Sequence, residues 1–451
     1  MSFIRRYTVG TNVTITAPVT AGGTYQFYDW EYDNTHLSYD LGALITTGVL
    51  NKSLDAKYWG FEILKIGDYG WYPRLSVYNN TIYIIGEDWV DGNSCQFVLY
   101  KSTDNGDHWT NSFVNPDNSD VITEQQEMTS GSIKTISDDI IYLSYNHKDM
   151  LSIVNRMILF TKSINGGSTW STPVIVEEMS HPQAVNYGYT NMCCPDANNI
   201  FIFYNYIMYI VPYYYFKFAK SIDGGATWVT STIYNPSFLD NAYMDSDAYD
   251  SNRVACVFRE AVDNYTEQLV VEITTDGGSN FTKKIIETSP YAYIETALSS
   301  RIKWVDSTTI YIVSKMNSDP LSEIAFYKST NSGVNWTKTV IYSFDESLDN
   351  SDDCIGLHVV DANTIYVLNS LDQYDDSSNS GFAIYKSINA GATWSKIYEY
   401  YFYGTEYMRN RSVSACALHI SGDKIMSFFY DYNYNTEGYD AILWKNFYVE
   451  P

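Results

Sequence analysis

Ser102-Thr103-Asp104-Asn105-Gly106-Asp107-His108-Trp109 decides the reading of the fold, because it returns five times. The copies are Ser163-Ile164-Asn165-Gly166-Gly167-Ser168-Thr169-Trp170, Ser221-Ile222-Asp223-Gly224-Gly225-Ala226-Thr227-Trp228, Thr274-Thr275-Asp276-Gly277-Gly278-Ser279-Asn280-Phe281, Ser329-Thr330-Asn331-Ser332-Gly333-Val334-Asn335-Trp336 and Ser387-Ile388-Asn389-Ala390-Gly391-Ala392-Thr393-Trp394. Successive copies start 61, 58, 53, 55 and 58 residues apart. The chemistry is that of a turn. Asp104, Asn165, Asp223, Asp276, Asn331 and Asn389 are placed to accept backbone N–H bonds two residues on. Gly106, Gly167, Gly225, Gly278, Gly333 and Gly391 supply the positive φ of a tight hairpin. The aromatics Trp109, Trp170, Trp228, Phe281, Trp336 and Trp394 pack back on the sheet. Lys101, Lys162, Lys220, Lys328 and Lys386 stand directly before five of the copies, each after an apolar run. One copy is a weak signal; six at a period near 57 residues read as a repeat array.

Working outward, the residues between copies fit three strands per unit. The first unit shows Arg74–Tyr78, a turn at Asn79-Asn80, Thr81–Ile85 and then Gln96–Tyr100. The turn and second strand recur at 138–142, 198–201, 251–254, 307–311, 362–366 and 422–425, which makes seven units. The seventh ends at Ala441–Lys445 without the turn motif or a fourth strand. Gly60–Ile66 resembles the strands that follow the motif elsewhere, so it is expected to complete the last unit and remove its free edge. Asn12–Val19 and Thr24–Trp30, joined through Ala21-Gly22-Gly23, read as a hairpin. Lys52-Ser53-Leu54-Asp55 with Trp59 reads as a decayed copy of the motif.

The eight-residue pattern resembles the Asp-box, or bacterial neuraminidase repeat, of sialidase-like propellers. The resemblance implies that each box joins the third and fourth strands of a blade at the outer rim, away from the active site. The expected fold is therefore all-β: a β-propeller of four-stranded antiparallel blades, seven in number, or eight if residues 1–58 form a further blade, its ring closed by an N-terminal strand. Residues 1–58 are expected to be a docking appendage or a degenerate extra blade, and 59–451 the propeller.

Composition agrees with strands and bounds the function. The chain has 451 residues, 43 of them Tyr, and a net charge of -25. Such a surface repels phosphate backbones, so no nucleic-acid partner is expected. No run of 18 apolar residues occurs, so no membrane span is expected. The six cysteines form no CxxC pair and mostly lie in apolar runs, as buried thiols do. The six histidines are scattered, and no metal or other cofactor is expected. Asp245-Ser246-Asp247 with Asp250 is like a calcium loop but lacks the later glutamate. Met1–Arg6 opens without the apolar stretch of a secretory signal. Synthesis in the cytoplasm is expected; a place outside a cell would be reached without such a signal, as in a virion or surface assembly.

The resemblance also makes demands on chemistry. Sialidases clamp a carboxylate with three arginines, the first in an Arg-Ile-Pro motif, and use a Tyr–Glu pair and an Asp. The nearest match is Tyr72-Pro73-Arg74-Leu75, with Pro and Arg in the other order. Arg74, Arg301 and Arg411 lie on or beside predicted inner strands and are the binding candidates among nine arginines. Arg253 falls in a turn and Arg156 before a third strand. No Tyr, Glu or Asp sits in a matching motif. Seven-bladed endoglucanases with Asp-boxes use an Asp pair instead, and glycosidase carboxylates stand about 5 Å apart when retaining and about 6.5–9.5 Å when inverting. Asp245, Asp247, Glu295, Asp352 and Asp353 are the catalytic candidates at inner-strand starts, with solvated turn carboxylates as the plainer alternative in so acidic a chain. Tyr213, Tyr214 and Tyr215 head the tyrosine-dense segments and are candidates for a recognition surface. The leading expectation is a non-catalytic recognition or scaffold propeller whose partner is a glycan or a neighbouring protein, with residues 1–58 contacting an assembly. The alternative is a glycoside hydrolase, sialidase-like or endoglucanase-like, acting on polysaccharide.

Overall fold

A computed structural model describes residues 12–16, 20–21, 25–32, 35–38, 42–46, 55–67, 71–91, 94–114, 126–149, 155–180, 185–208, 213–235, 244–263, 266–289, 300–316, 322–344, 355–372, 380–401, 417–421, 424–433 and 438–449. Every regular element among them is a β-strand. The first six are Asn12–Thr16 (β1), Thr20–Ala21 (β2), Tyr25–Tyr32 (β3), Thr35–Ser38 (β4), Gly42–Thr46 (β5) and Asp55–Gly67 (β6). The first blade is Trp71–Tyr78 (β7), Thr81–Asp91 (β8), Ser94–Ser102 (β9) and Thr110–Phe113 (β10). The second is Gln126–Thr135 (β11), Ile141–Asp149 (β12), Asn155–Ser163 (β13) and Val174–Ser180 (β14). The third is Val185–Cys193 (β15), Ile200–Met208 (β16), Tyr213–Ser221 (β17) and Val229–Tyr234 (β18). The fourth is Asp245–Ala248 (β19), Val254–Asp263 (β20), Thr266–Thr274 (β21) and Thr282–Ser289 (β22). The fifth is Ser300–Trp304 (β23), Ile310–Met316 (β24), Ser322–Ser329 (β25) and Thr337–Phe344 (β26). The sixth is Ile355–Val359 (β27), Ile365–Asp372 (β28), Ser380–Ser387 (β29) and Ser395–Tyr401 (β30). Ala417–Ser421 (β31), Lys424–Asn433 (β32) and Gly438–Val449 (β33) follow.

The propeller has six four-stranded antiparallel blades rather than the expected seven. The seventh repeat carries no turn motif and no fourth strand of its own. Its strands β31–β33 run on through β6 and β3 into a seven-stranded sheet, ordered β2-β3-β6-β33-β32-β31 with β4 on β3. The expected pairing of Gly60–Ile66 with the last unit is thus present, as β6 on β33. The N-terminal hairpin is smaller than expected. β1 pairs with β5, and only Thr20–Ala21 pairs back on Tyr25–Gln26. Asp55 and Trp59 lie within β6, paired with Glu31 and Gln26; Lys52, Ser53 and Leu54 of the motif-like stretch fall outside the described residues. By contact density the chain divides into two units, Met1–Leu64 with His419–Ser427 and Leu443–Pro451, and Lys65–Leu418 with Phe428–Ile442.

Within a blade, burial follows strand position. The second and third strands are apolar on both faces because a neighbouring blade covers each face; Ile310–Met316 is buried throughout. The fourth strands face outward, and Thr110–Phe113 is exposed throughout. Between the first and second blades, Tyr83, Ile85, Phe97 and Leu99 pack on Ile133, Ile141, Leu143, Tyr145 and Leu159. The first strands of successive blades lie against one another, β7 on β11, then β15, β19, β23 and β27.

The eight-residue turns join third to fourth strands, as expected. Their bonding differs from expectation in one respect. Asp104 Oδ1 accepts the N–H groups of Asp107 and His108, three and four residues on, at 3.2 and 2.9 Å. Ser102 Oγ donates to that carboxylate and accepts the Gly106 N–H, both at 2.8 Å. Trp109 Nε1 donates to the Gly106 carbonyl at 3.2 Å. The bond from the fifth-position N–H to the first-position hydroxyl recurs in all six turns. Hydrogen bonds from the Thr227 and Asn280 side chains, and from the backbone, hold the exposed Asp223 and Asp276 carboxyls down to about 2.

The same turns lock each blade to the one before it. Gly225 has φ +84°, and a Cβ there would stand 2.1 Å from Phe160 of the preceding blade. At Gly391 the corresponding approach is 2.0 Å, to Phe326. Only glycine lets the backbone sit this low on the neighbouring ring. Trp228 and Trp394 close over the same rings at 5.3 Å between centroids. Trp109, in the first blade, rests in the same way on Phe428 of β32 at 5.8 Å. The lysine before each of three turns reaches forward to the next one. Lys101, Lys162 and Lys220 donate to the carbonyls of Gly166, Gly224 and Gly277 at 3.0–3.1 Å. In the fourth blade Ile273 replaces that lysine and lies directly under Gly333.

Candidate functional site

The eight-residue turns and the turns between first and second strands share one end of the blades, where Asn105, Gly166, Gly224 and Gly277 donate N–H bonds to Asn80, Asp139, Asn198 and Asn252. The starts of the first strands and the ends of the second strands therefore lie at the other end. Glu295, Asp352, Asp353 and Arg411 fall outside the described residues.

Along the first strands, each blade is hydrogen-bonded to the next by a polar side chain. Ser76 Oγ of β7 meets Thr135 of β11 through its N–H and its hydroxyl, both at 2.8 Å. Ser132 Oγ of β11 accepts the Met192 N–H of β15 at 3.0 Å. Asn191 Oδ1 of β15 accepts both the N–H and the hydroxyl of Ser246 on β19. Asp245 and Asp247 continue the series. Asp245 accepts from Asn191 Nδ2 at 3.3 Å and from the Ile302 N–H of β23 at 3.0 Å. Asp247 accepts the Trp304 N–H at 2.8 Å and pairs with Lys303 Nζ at 2.9 Å. Asp247 in turn holds the Lys303 ammonium above its ordinary range. Both carboxylates thus sit where β23 offers N–H groups on its inner edge. A first strand is short of ladder partners on that side, and a carboxylate from the previous blade supplies them.

Arg74 lies on β7 and Arg301 on β23, the first strands of the first and fifth blades, and both are half-buried. Arg301 Nη1 donates to the Ser300 carbonyl. Tyr213, Tyr214 and Tyr215 begin β17, a third strand, opposite Met208, Ile207 and Tyr206. Tyr215 packs on the apolar core between the second and third blades. Arg253, read as a turn residue, does brace its turn, bonding Asp250 and the Ser307 carbonyl of the next blade. Of the cysteines, Cys193 and Cys256 are buried free thiols and Cys194 is a half-buried one; burial pushes Cys193 up to about 12.

One set of residues escaped the sequence reading. Counting each second strand from the residue paired with the first turn residue, the sixth place holds Glu87, Asn146, Asn205, Arg259, Lys315 and Ser370. All six are buried. The signal was a polar residue breaking an apolar strand at one register, visible only after alignment of the units. Arg259 pairs with Glu267 at 2.5 Å, and the Lys315 ammonium lies 5.4 Å from the Phe344 ring centre. Asn205 and its counterpart at the fifth place of β28, Asn369, differ. Among the described residues neither has a hydrogen-bond partner for its side-chain oxygen or nitrogen. Each stands three residues from the end of its strand.

Buried Tyr–Glu–Lys clusters occupy three successive blade interfaces. Between the second and third, Glu177 accepts from Tyr204 Oη at 2.6 Å and from Lys217. Between the third and fourth, Glu260 meets Tyr234 and Lys283. Between the fourth and fifth, Glu287 accepts from Tyr327 Oη at 2.5 Å and Lys338 Nζ at 2.6 Å, and Glu323 also pairs with Lys338. Burial raises the Tyr234 and Tyr327 hydroxyls above their ordinary range, with the adjacent carboxylates adding to the rise. The hydroxyls stay protonated and act as donors. Among the described residues no three His, Cys, Asp or Glu side chains group as metal ligands, and no helix is long and apolar enough to cross a membrane.

No protein-family model matches the chain, and neither does any curated protein. Solved structures do match. A Hadza microbial sialidase superposes with a TM-score of 0.47 at 13% identity over 72% of this chain and 69% of that one. The NanB sialidase of Streptococcus pneumoniae gives 0.45 at 12% identity over 85% and 69%. The polysaccharide lyase Uly1 gives 0.48 at 10% identity over 85% and 90%. These likenesses are of fold.

Proposed function

We propose that this chain is a non-catalytic Asp-box propeller that recognises a glycan or a neighbouring protein at the end of the blades opposite the eight-residue turns, with a surface or virion-type assembly as its setting and residues 1–58 as its docking segment. One contrast supports this reading. Asp245 is held between Asn191 of the preceding blade and the Ile302 N–H of the next, and Asp247 Oδ2 by the Trp304 N–H and Lys303, whereas the buried amides of Asn205 and Asn369 keep unused donors and acceptors near the ends of the second strands. A general acid or base needs a carboxyl within reach of a substrate proton. A recognition site needs a few fixed polar groups in apolar surroundings.

The test is a glycan array run beside assays of reducing-sugar release and of unsaturated-uronate formation on the same panel. Binding without product formation is expected. Product formation that is lost on substituting Glu295, Asp352 or Asp353 would establish the hydrolase reading instead. Silence in every assay would remove the glycan and leave a protein partner.

A further inference from the structure

The interface between the third and fourth blades holds two buried carboxylates, Glu260 and Glu272, with the exposed Lys283 at its edge. Glu272 lies on β21, directly between Cys256 of β20 and Lys283 of β22. Glu260 of β20 faces the same way and is ion-paired with Lys283. Tyr234 of β18, from the third blade, donates to Glu260 at 3.4 Å and lies under the Lys283 ammonium, 4.4 Å from its ring centre. Glu260 is 7% and Glu272 2% exposed. Glu260, Lys283, Tyr234 and the Cys256 thiol are the titratable groups facing Glu272. Cys193 of β15 and Asp245 of β19 act on Cys256 from the inner side. At the two flanking interfaces Glu177 pairs with Lys217, and Glu287 and Glu323 both pair with Lys338; these carboxylates are less buried than Glu272.

We propose that the joint between the third and fourth blades responds to pH, held tightest while Glu272 carries its proton and loosened as that proton leaves. With Glu272 neutral, Glu260 and Lys283 form a balanced pair and Tyr234 closes over it. With Glu272 ionised, a second buried carboxylate is charged beside a single ammonium, a costly arrangement at low dielectric. Opening relieves it by hydrating the cluster. β18 ends at Tyr234, and the chain next forms β19 at Asp245. The joint therefore anchors the connection that carries Asp245 and Asp247 to the inner strands.

The sign follows from linkage. Burial lifts Glu272 from 4.5 to about 7, with Lys283 opposing and Glu260 adding to the rise. In an opened joint the carboxyl returns to its ordinary value. Opening is thus promoted by up to about tenfold per pH unit between 4.5 and about 7, and levels off above that.

The measurement is amide hydrogen exchange on the full chain from pH 4.5 to 8.5, corrected for intrinsic exchange, following Val229–Tyr234 and Val254–Glu260 with Ile310–Met316 as reference. Protection of the first two segments is expected to fall roughly fortyfold between pH 5 and 7, and then to approach a level. The reference strand stays flat. Glu272→Gln is expected to abolish the slope; a wild-type slope in this variant would overturn the proposal. Should Glu272→Gln not fold, two neighbours give an independent reading. Glu260→Gln moves the level region to lower pH, and Lys283→Met moves it to higher pH. Opposite displacements support the proposal, and a level region unmoved in either variant overturns it.

Discussion

The two ends of each blade are built on different plans. At one end the six eight-residue turns close with the same bonds, from a first-position hydroxyl, a third-position Asp or Asn and a fifth-position glycine. At the other, the six aligned residues at the sixth place of the second strands are Glu87, Asn146, Asn205, Arg259, Lys315 and Ser370, with no residue type common to all. The first end sets the spacing between blades; glycine at φ near +85° seats the turns on the preceding blade, on Phe160, Phe218 and Phe326 at Gly225, Gly278 and Gly391 and on Leu99 and Ile273 at Gly167 and Gly333. The second end differs from blade to blade: Arg259 pairs with Glu267 of its own blade, whereas Asp245 is bonded by β23 of the next, 57 residues further on. Uniformity marks the part that holds the array together, and variety marks the part where individual chemistry resides.

The sharpest way to break the uniform end is Gly225→Ala. The new Cβ meets Phe160 and forces a strained backbone, so a loss of about 4 kcal/mol is expected from overpacking and left-handed strain together. Denaturant unfolding of the full chain measures it. Gly166→Ala is the control: its nearest atom is the flexible Lys101 Nζ, and a loss of about 1–2 kcal/mol is expected. Equal losses would show that the ring seat adds nothing.

The variable end is probed by pH. Glu272 is expected to withdraw up to about 3 kcal/mol of stability between pH 4.5 and 8, so the difference in unfolding free energy between these pH values shrinks by that amount in Glu272→Gln. Next in size is Asp245→Ala, which leaves the Ile302 N–H without its acceptor, at about 2 kcal/mol. Asp245→Asn keeps an acceptor oxygen and most of the stability; a loss as large as that of the alanine variant would show that the charge itself holds β23. The smallest effect expected is for Tyr311→Phe, which removes the bond from Tyr311 Oη to the Ala362 carbonyl at 2.7 Å. About 1 kcal/mol is expected from thermal unfolding.

These outcomes track how much could be read from the chain. The turn bonds link residues two to four apart, so the Ser-x-Asp-x-Gly spacing was enough to find all six turns; their place between third and fourth strands was implied by the resemblance to the Asp-box. The strand at Gly60–Ile66 was legible from its likeness to other fourth strands. The blade count was not. Three strands of the seventh repeat are continued by β6 and β3, and pairing across nearly the whole chain length leaves no local trace. The roles of Asp245 and Asp247 were hidden for the same reason: they looked like free carboxylates at a strand start, and their partners are 57 residues further on. Of the tyrosine triplet, Tyr215 is half-buried and packs against the core between the second and third blades.

The sequence by itself determined the repeat, its period, the strand order within a blade and the turn chemistry, because all of these rest on short-range periodicity and on conformations only glycine, asparagine and aspartate favour. Tertiary structure alone decided which carboxylates are occupied, which amides are idle and which glutamate lies two to a lysine. Those properties depend on the face that one blade presents to the next, and that face is assembled from strands far apart in the chain.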